Sequence, residues 1–285
     1  MATADDTDAT SVDFSPPSSS IRHYSLMNSL LNVLNTTDSE DLDNVLARYF
    51  LEHFDSLHEL NVYDVAEACY TSRSGIRRFC QSIGCDNFSD LKSYSWEWSR
   101  HRALFGDFAS HDDFRSYLSG LIANMTEDVN SQVPEEDLDR LAACIFYAHE
   151  VVLLTSDFSS MAVREFQQSM LYLHKIVRII TDSFGDLDCL ESLESGDLII
   201  VVSMHGGYAR AVLPGIQRLP CCKVLIAASH DEALAGEFDD AFHLSSEDCQ
   251  EQRSVYAQYG VSYFFDLLYN RYHLLFGDEG ERAGA

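Results

Sequence analysis

Four short, near-continuous apolar runs, at residues 151–154, 176–180, 198–202 and 224–227, constrain the second half of this chain more than any other feature. A strand apolar on both faces has to be covered on both faces, which is the condition of a parallel sheet in an α/β domain. Each run is followed by a polar loop and, in most cases, by a stretch of helical periodicity. That alternation argues for strands separated by crossover helices over residues 134–285. Ligands of such sheets bind beyond the carboxyl ends of the strands, which here means the loops at residues 155–160 and 203–208. Both loops lead into helical stretches, 161–174 and 208–218, whose free N–H groups and partial positive charge suit a phosphate. Ser156, Ser159, Ser160, Ser203, His205, Gly206, Gly207 and Tyr208 are the candidate ligand-binding residues. His205 can grip an anion when protonated, and Tyr208 can stack on a ligand or donate a hydrogen bond.

The first half reads differently. Between residues 60 and 92, apolar side chains fall at Val62, Val65, Ala66 and Cys69, then at Ile76, Phe79, Cys80 and Ile83. This is the i, i+3, i+4, i+7 spacing of two short helices, each burying one face. Ser72 is placed to cap the second helix with its hydroxyl. With Ile76, Phe79 and Ile83 inward, Thr71, Ser72, Arg73, Ser74, Arg77 and Arg78 fall outside at the start of that helix. A helix-turn-helix presents its base-reading and phosphate-holding side chains there. From residue 69 to 85 there are three arginines and no acid, in a chain with 46 acidic against 19 basic residues and a formal charge of −27. Such a charge repels DNA, so binding has to rely on this local basic face and on screening of the remainder. Pattern alone leaves an ordinary helical hairpin with a solvated arginine face equally open.

The order of these features resembles the N-terminal domain of the RpiR/MurR family of bacterial transcription regulators. Leu-Ala-Arg-Tyr-Phe-Leu-Glu-His (46–53), Val-Tyr-Asp-Val-Ala-Glu-Ala-Cys (62–69), Arg78-Phe79-Cys80, Ile83-Gly84 and Phe88-Ser89-Asp90-Leu91-Lys92 carry the likeness. It implies that Ser72 opens the recognition helix and adds Lys92 to the DNA-binding candidates. Gly75 departs from the small hydroxyl residue usual in the family, and glycine inside a helix costs about 1 kcal/mol relative to alanine. The second half is similar to the sugar isomerase (SIS) domain that follows the helix-turn-helix in that family and senses phosphosugars. The implied fold is α + α/β: an N-terminal helical helix-turn-helix domain joined to a parallel-sheet SIS-like domain. Here too there are departures. Thr155 and Asp157 stand in the glycine places of the first loop, although Ser159 is kept. His205 and Tyr208 replace hydroxyl residues of the second, which keeps Ser203 and Gly206. Retained phosphosugar binding, a different small ligand and a purely dimerising domain therefore remain alternatives.

The length of 285 residues suits two domains. The expected division is an acidic disordered tail at 1–20, a helix-turn-helix domain at 21–100, a linker helix within 101–133 and the SIS-like domain at 134–285. The tail has neither a basic start nor an apolar core, so it does not read as a signal peptide. No apolar run approaches the ~20 residues of a membrane span. Eight cysteines lack any C-x-x-C pair or zinc spacing, and Cys221-Cys222 is the one candidate redox or soft-metal pair. A reduced, cytoplasmic protein follows, without membrane, metal or cofactor. The segment 253–276 is apolar on more than one face and suits the domain core together with a subunit interface. The expected partners are double-stranded DNA, a phosphosugar or other small anionic effector, and further copies of the chain in a homodimer or homotetramer. The leading function is non-enzymatic regulation of transcription, with a role in carbohydrate metabolism. Its alternatives are a phosphosugar isomerase drawing on Glu165, His205 or His230, and an interaction module whose helix-turn-helix no longer meets DNA.

Overall fold

The computed structural model describes residues 25–156, 159–181, 187–248 and 255–283. The acidic tail and Asp157 lie outside them. The helical part opens with α1 (Leu26–Thr36) and α2 (Leu42–Glu52), followed by a 3-10 segment (Phe54–Glu59), α3 (Val62–Ala68), α4 (Arg73–Ser82) and α5 (Phe88–Ser93). The inward residues of these elements make one core containing Leu30, Leu46, Phe50, Phe54, Val65, Ile76, Phe79 and Leu91. Phe50 and Phe79 stack in it, with ring centroids 5.8 Å apart. α6 (Trp96–Ala109) follows directly and packs Trp98 against this core. Its Glu97 is 1% exposed and accepts from the amides of Leu26 (2.8 Å) and Met27 (3.1 Å) and from the Ser25 hydroxyl (3.1 Å). A buried carboxylate thus satisfies the free amides of α1, where the helix dipole favours negative charge.

α7 (Phe114–Gln132) is a helix within the segment 101–133. Its Met125 and Val129 are buried in the core of the following α/β part. After α8 (Glu135–Tyr147) come β1 (Val151–Thr155), α9 (Ser160–Leu171), β2 (Arg178–Ile180), β3 (Leu198–Val202), α10 (Gly207–Ile216), β4 (Cys222–Ala227), α11 (Glu232–Ala235) and β5 (Asp240–His243). A π-helical turn (Tyr256–Gly260) leads into α12 (Val261–Ala283). The strands form one parallel sheet in the order β2-β1-β3-β4-β5. Alternate residues of the apolar runs serve opposite faces. Val151 and Leu153 meet α8, α9 and α12, whereas Val152 and Leu154 meet the layer of α10 and α11.

Two strands differ from expectation. Ile176 is 78% exposed and β2 begins only at Arg178, because an edge strand pairs on one side and needs little length. β5 was not anticipated: of its four residues only Phe242 is buried, so it carries no apolar run. In α12 the buried residues Val261, Phe264, Phe265, Leu268 and Tyr272 form one face against α8 and α9, and Leu274 and Leu275 are exposed.

Candidate nucleic-acid interface and effector loops

α3 and α4 meet through a tight turn. Asn61 caps α3 by accepting from the Tyr63 amide at 2.9 Å. At its other end Tyr70 has φ +50°, its amide donates to the Glu67 carbonyl, and the Thr71 amide donates to the Ala66 carbonyl. This is a Schellman ending, whose left-handed residue is usually glycine. α4 ends the same way with Gly84 at φ +93°, the Cys85 amide reaching the Cys80 carbonyl. Ser72 caps α4, its hydroxyl accepting from the Gly75 amide at 3.2 Å and lying 2.9 Å from the Ser74 hydroxyl. Gly75 therefore stands in the first turn, not in the helix interior. A Cβ there would lie 2.5 Å from Thr71 Oγ1, so Thr71 closing over the turn is what a side chain would displace.

Ile76, Phe79 and Cys80 are buried, and Ser72, Arg73, Ser74, Arg77 and Arg78 are exposed together on the outer face of α4. Two DNA-binding candidates stand apart. Thr71 is half-buried against the helix start. Lys92 does not face outward with the arginines: its ammonium donates to the Leu60 carbonyl at 2.8 Å and lies 5.8 Å over the Phe88 ring. The charge that was expected to meet DNA holds the entry to α3 in place. Tyr63, in turn, was not anticipated. It is 61% exposed, and its hydroxyl accepts from Arg73 Nη1 at 3.1 Å with the guanidinium 5.1 Å from the ring centroid. No helical period links residues ten apart on two helices, so only the turn geometry reveals the pair.

At the sheet, Thr155 of β1 pairs beside Val202 of β3, so the two candidate loops leave neighbouring strands at the carboxyl edge. Their chains diverge there, β1 continuing to β2 on one side and β3 to β4 on the other, which is a switch point where α/β sheets open a crevice. Ser156 is half-buried, and Ser159 and Ser160 are buried at the start of α9. Ser203 is 5% exposed and its hydroxyl oxygen accepts from the Ala209 amide at 3.0 Å, inside the first turn of α10. Gly206 and Gly207 open that helix and His205 is half-buried. Tyr208 departs from expectation. It is 1% exposed and packs among Val152, Leu154 and Val201, because helix position two of α10 points at the sheet; its ring is not available to stack on a sugar.

Gly206 has φ +75°, and a Cβ on it would stand 3.1 Å from Arg210 Nη1 and 3.2 Å from Ser229 Oγ. Arg210 is ion-paired to Asp231, whose carboxyl is held below the usual carboxylate range by the Leu234 amide and then by Arg210. Of the enzyme candidates, Glu165 lies on α9 next to Asp266 of α12, while His205 follows β3 and His230, after β4, uses Nε2 on the Ser245 carbonyl at 2.7 Å. Cys221 is buried and Cys222 half-buried, and burial pushes both thiols up, away from the thiolate that redox or soft-metal chemistry requires. No helix among the described residues is long and apolar enough to cross a membrane.

Comparison with known proteins agrees with this arrangement. The family described as "Helix-turn-helix domain, rpiR family" matches residues 29–99. The uncharacterized HTH-type transcriptional regulator YbbH of Bacillus subtilis is 23% identical over 166 residues, 56% of this chain and 59% of the relative. The HTH-type transcriptional regulator GlvR of the same organism is 23% identical over 187 residues, 65% of each chain. The match thus spans less than two thirds of either relative. Among solved structures, the Vibrio vulnificus NanR protein complexed with ManNAc-6P superposes with a TM-score of 0.51 at 16% identity, covering 90% of this chain and 96% of that one. That likeness extends the common fold through the parallel-sheet part. The likeness to the helix-turn-helix domain of the rpiR family thus covers residues 29–99, in which α4 follows α3 as the second helix of the pair, and a parallel-sheet α/β part follows it in this chain.

Proposed function

We propose that the protein is a DNA-binding transcription regulator whose α4 enters the major groove and whose α/β domain pairs two copies and takes a small anionic effector, a phosphosugar being the leading class. The observation that carries the reading is the acid-free face of α4, where Ser72, Arg73, Ser74, Arg77 and Arg78 are exposed together in a chain of net charge −27. The similarity to proteins named as transcriptional regulators supports it over catalysis. Two copies related by a dyad place two recognition helices one helical turn of DNA apart, so the operator is a palindrome. Regulation of carbohydrate genes in the cytoplasm fits a phosphosugar effector, held by the loops that follow β1 and β3. Binding there shifts DNA affinity only by the difference in effector affinity between the two dimer geometries.

The test is selection from a random-sequence duplex library by the full chain at low salt. A palindromic consensus is expected, and no enrichment of any sequence sinks the reading. On the selected duplex, Arg77→Ala and Arg78→Ala each lower affinity; where the lost contact is to phosphate, the salt slope falls by about one unit. Unchanged binding in both variants would remove α4 from the interface. Adding a panel of phosphosugars to the same assay separates a sensing domain from a purely dimerising one.

A further inference from the structure

We infer that Tyr63 is a positioning residue for Arg73, and that the pair reads a guanine in the major groove. The inference rests on the proposed DNA-binding role of α4 and adds to it a residue and a base. Tyr63 is the second residue of α3 and Arg73 the first of α4. The Asn61 cap fixes where α3 starts, and the Schellman turn through Tyr70 and Thr71 fixes how α4 follows it, so the two side chains meet without either helix bending. The meeting uses two contacts of different kinds. The ring lies under the guanidinium at 5.1 Å, and the hydroxyl accepts one N–H from Arg73 Nη1 at 3.1 Å.

A free surface arginine loses much rotamer freedom when it binds, and holding its plane beforehand recovers that loss in the complex. Among the described residues, Arg77 and Arg78 have no comparable anchor, although they too are exposed. The hydrogen bond to Tyr63 uses one of the five N–H donors of the guanidinium. Those that remain include a parallel pair, which is the donor pattern that matches O6 and N7 of guanine. The first residue of a recognition helix is placed to reach base edges, whereas residues a turn later reach the backbone as readily.

The test compares full-length wild type, Arg73→Ala and Tyr63→Phe in selection from the same random duplex library, followed by titration of the selected duplex and of single-base variants. Tyr63→Phe keeps the ring under the guanidinium and removes only the hydroxyl of a residue that is 61% exposed, so the melting temperature stays that of wild type. Wild type is expected to require guanine at one position of each half-site, and Arg73→Ala to lose that requirement at that position alone. Tyr63→Phe should reduce discrimination between guanine and adenine there by roughly three- to tenfold, with non-specific affinity within about twofold of wild type. A purely structural role for Tyr63 would leave this base ratio unmoved. An undiminished guanine ratio in Tyr63→Phe, or a guanine requirement that survives Arg73→Ala, overturns the inference while leaving the regulator reading intact. Failure of wild type to enrich any sequence overturns both.

Discussion

Tyr70 and Gly84 occupy equivalent places after α3 and α4, and only one of them suits its backbone. A side chain in the left-handed region costs roughly 1–2 kcal/mol, which Gly84 avoids and Tyr70, 97% exposed, does not offset by burial. Tyr70→Gly is therefore expected to raise stability by about 1 kcal/mol, read as a higher urea midpoint at unchanged slope. A fall in the midpoint would show that the tyrosine makes contacts worth more than the strain. Gly75 runs the other way. Alanine there should not deliver the gain of about 1 kcal/mol expected from helix propensity, since its methyl would lie 2.5 Å from Thr71 Oγ1. At this scale the outward arginines were legible in the sequence, because apolar spacing at Ile76, Phe79 and Cys80 decides which way a helix faces. Lys92, Tyr63 and Tyr208 were not. Their directions are set by partners far along the chain or by the sheet beneath α10, to which periodicity is blind.

Among the elements, the end of α1 shows how the helical domain is closed. Both Glu97 oxygens are acceptors, one for the Leu26 amide and the other for the Met27 amide and the Ser25 hydroxyl. Glu97→Ala leaves buried donors unpaired and should cost about 3 kcal/mol. Glu97→Gln should be nearly as damaging, because an amide turns one of the two acceptors into a donor facing other donors. Hydrogen exchange of the α1 amides, together with thermal unfolding, checks both; protection of α1 unchanged in Glu97→Ala would show that the cap is dispensable. The elements themselves were largely readable: unbroken apolar runs marked β1, β3 and β4, and helical periods marked α3 and α4. β5 escaped because an edge strand with one buried residue carries no such run. The Glu97 cap escaped because a carboxylate some 70 residues from its partners looks like any other surface acid.

For the molecule as a whole, the unusual quantity is charge: 46 acidic against 19 basic residues, with the window from 69 to 85 free of acids. On the proposed reading, DNA approaching α4 meets Arg73, Arg77 and Arg78 and also feels the acids that lie outside this window. Which set it feels depends on the Debye length, about 10 Å at 0.1 M salt and about 30 Å at 0.01 M. Near physiological salt the distant acids are screened, and affinity should rise as salt falls, with a slope set by the phosphates the arginines neutralise, about −0.9 per contact. Below roughly 0.03 M the screening length approaches the size of a domain, and repulsion from the acidic surface begins to oppose the gain. A plot of log affinity against log salt should therefore bend over at the dilute end, where a protein basic throughout would continue in a straight line. Titrating the selected duplex from about 0.01 to 0.2 M salt reads this directly. A line straight across the whole range would mean that the acids lie too far from the bound duplex to be felt, and that the basic face of α4 alone governs the encounter.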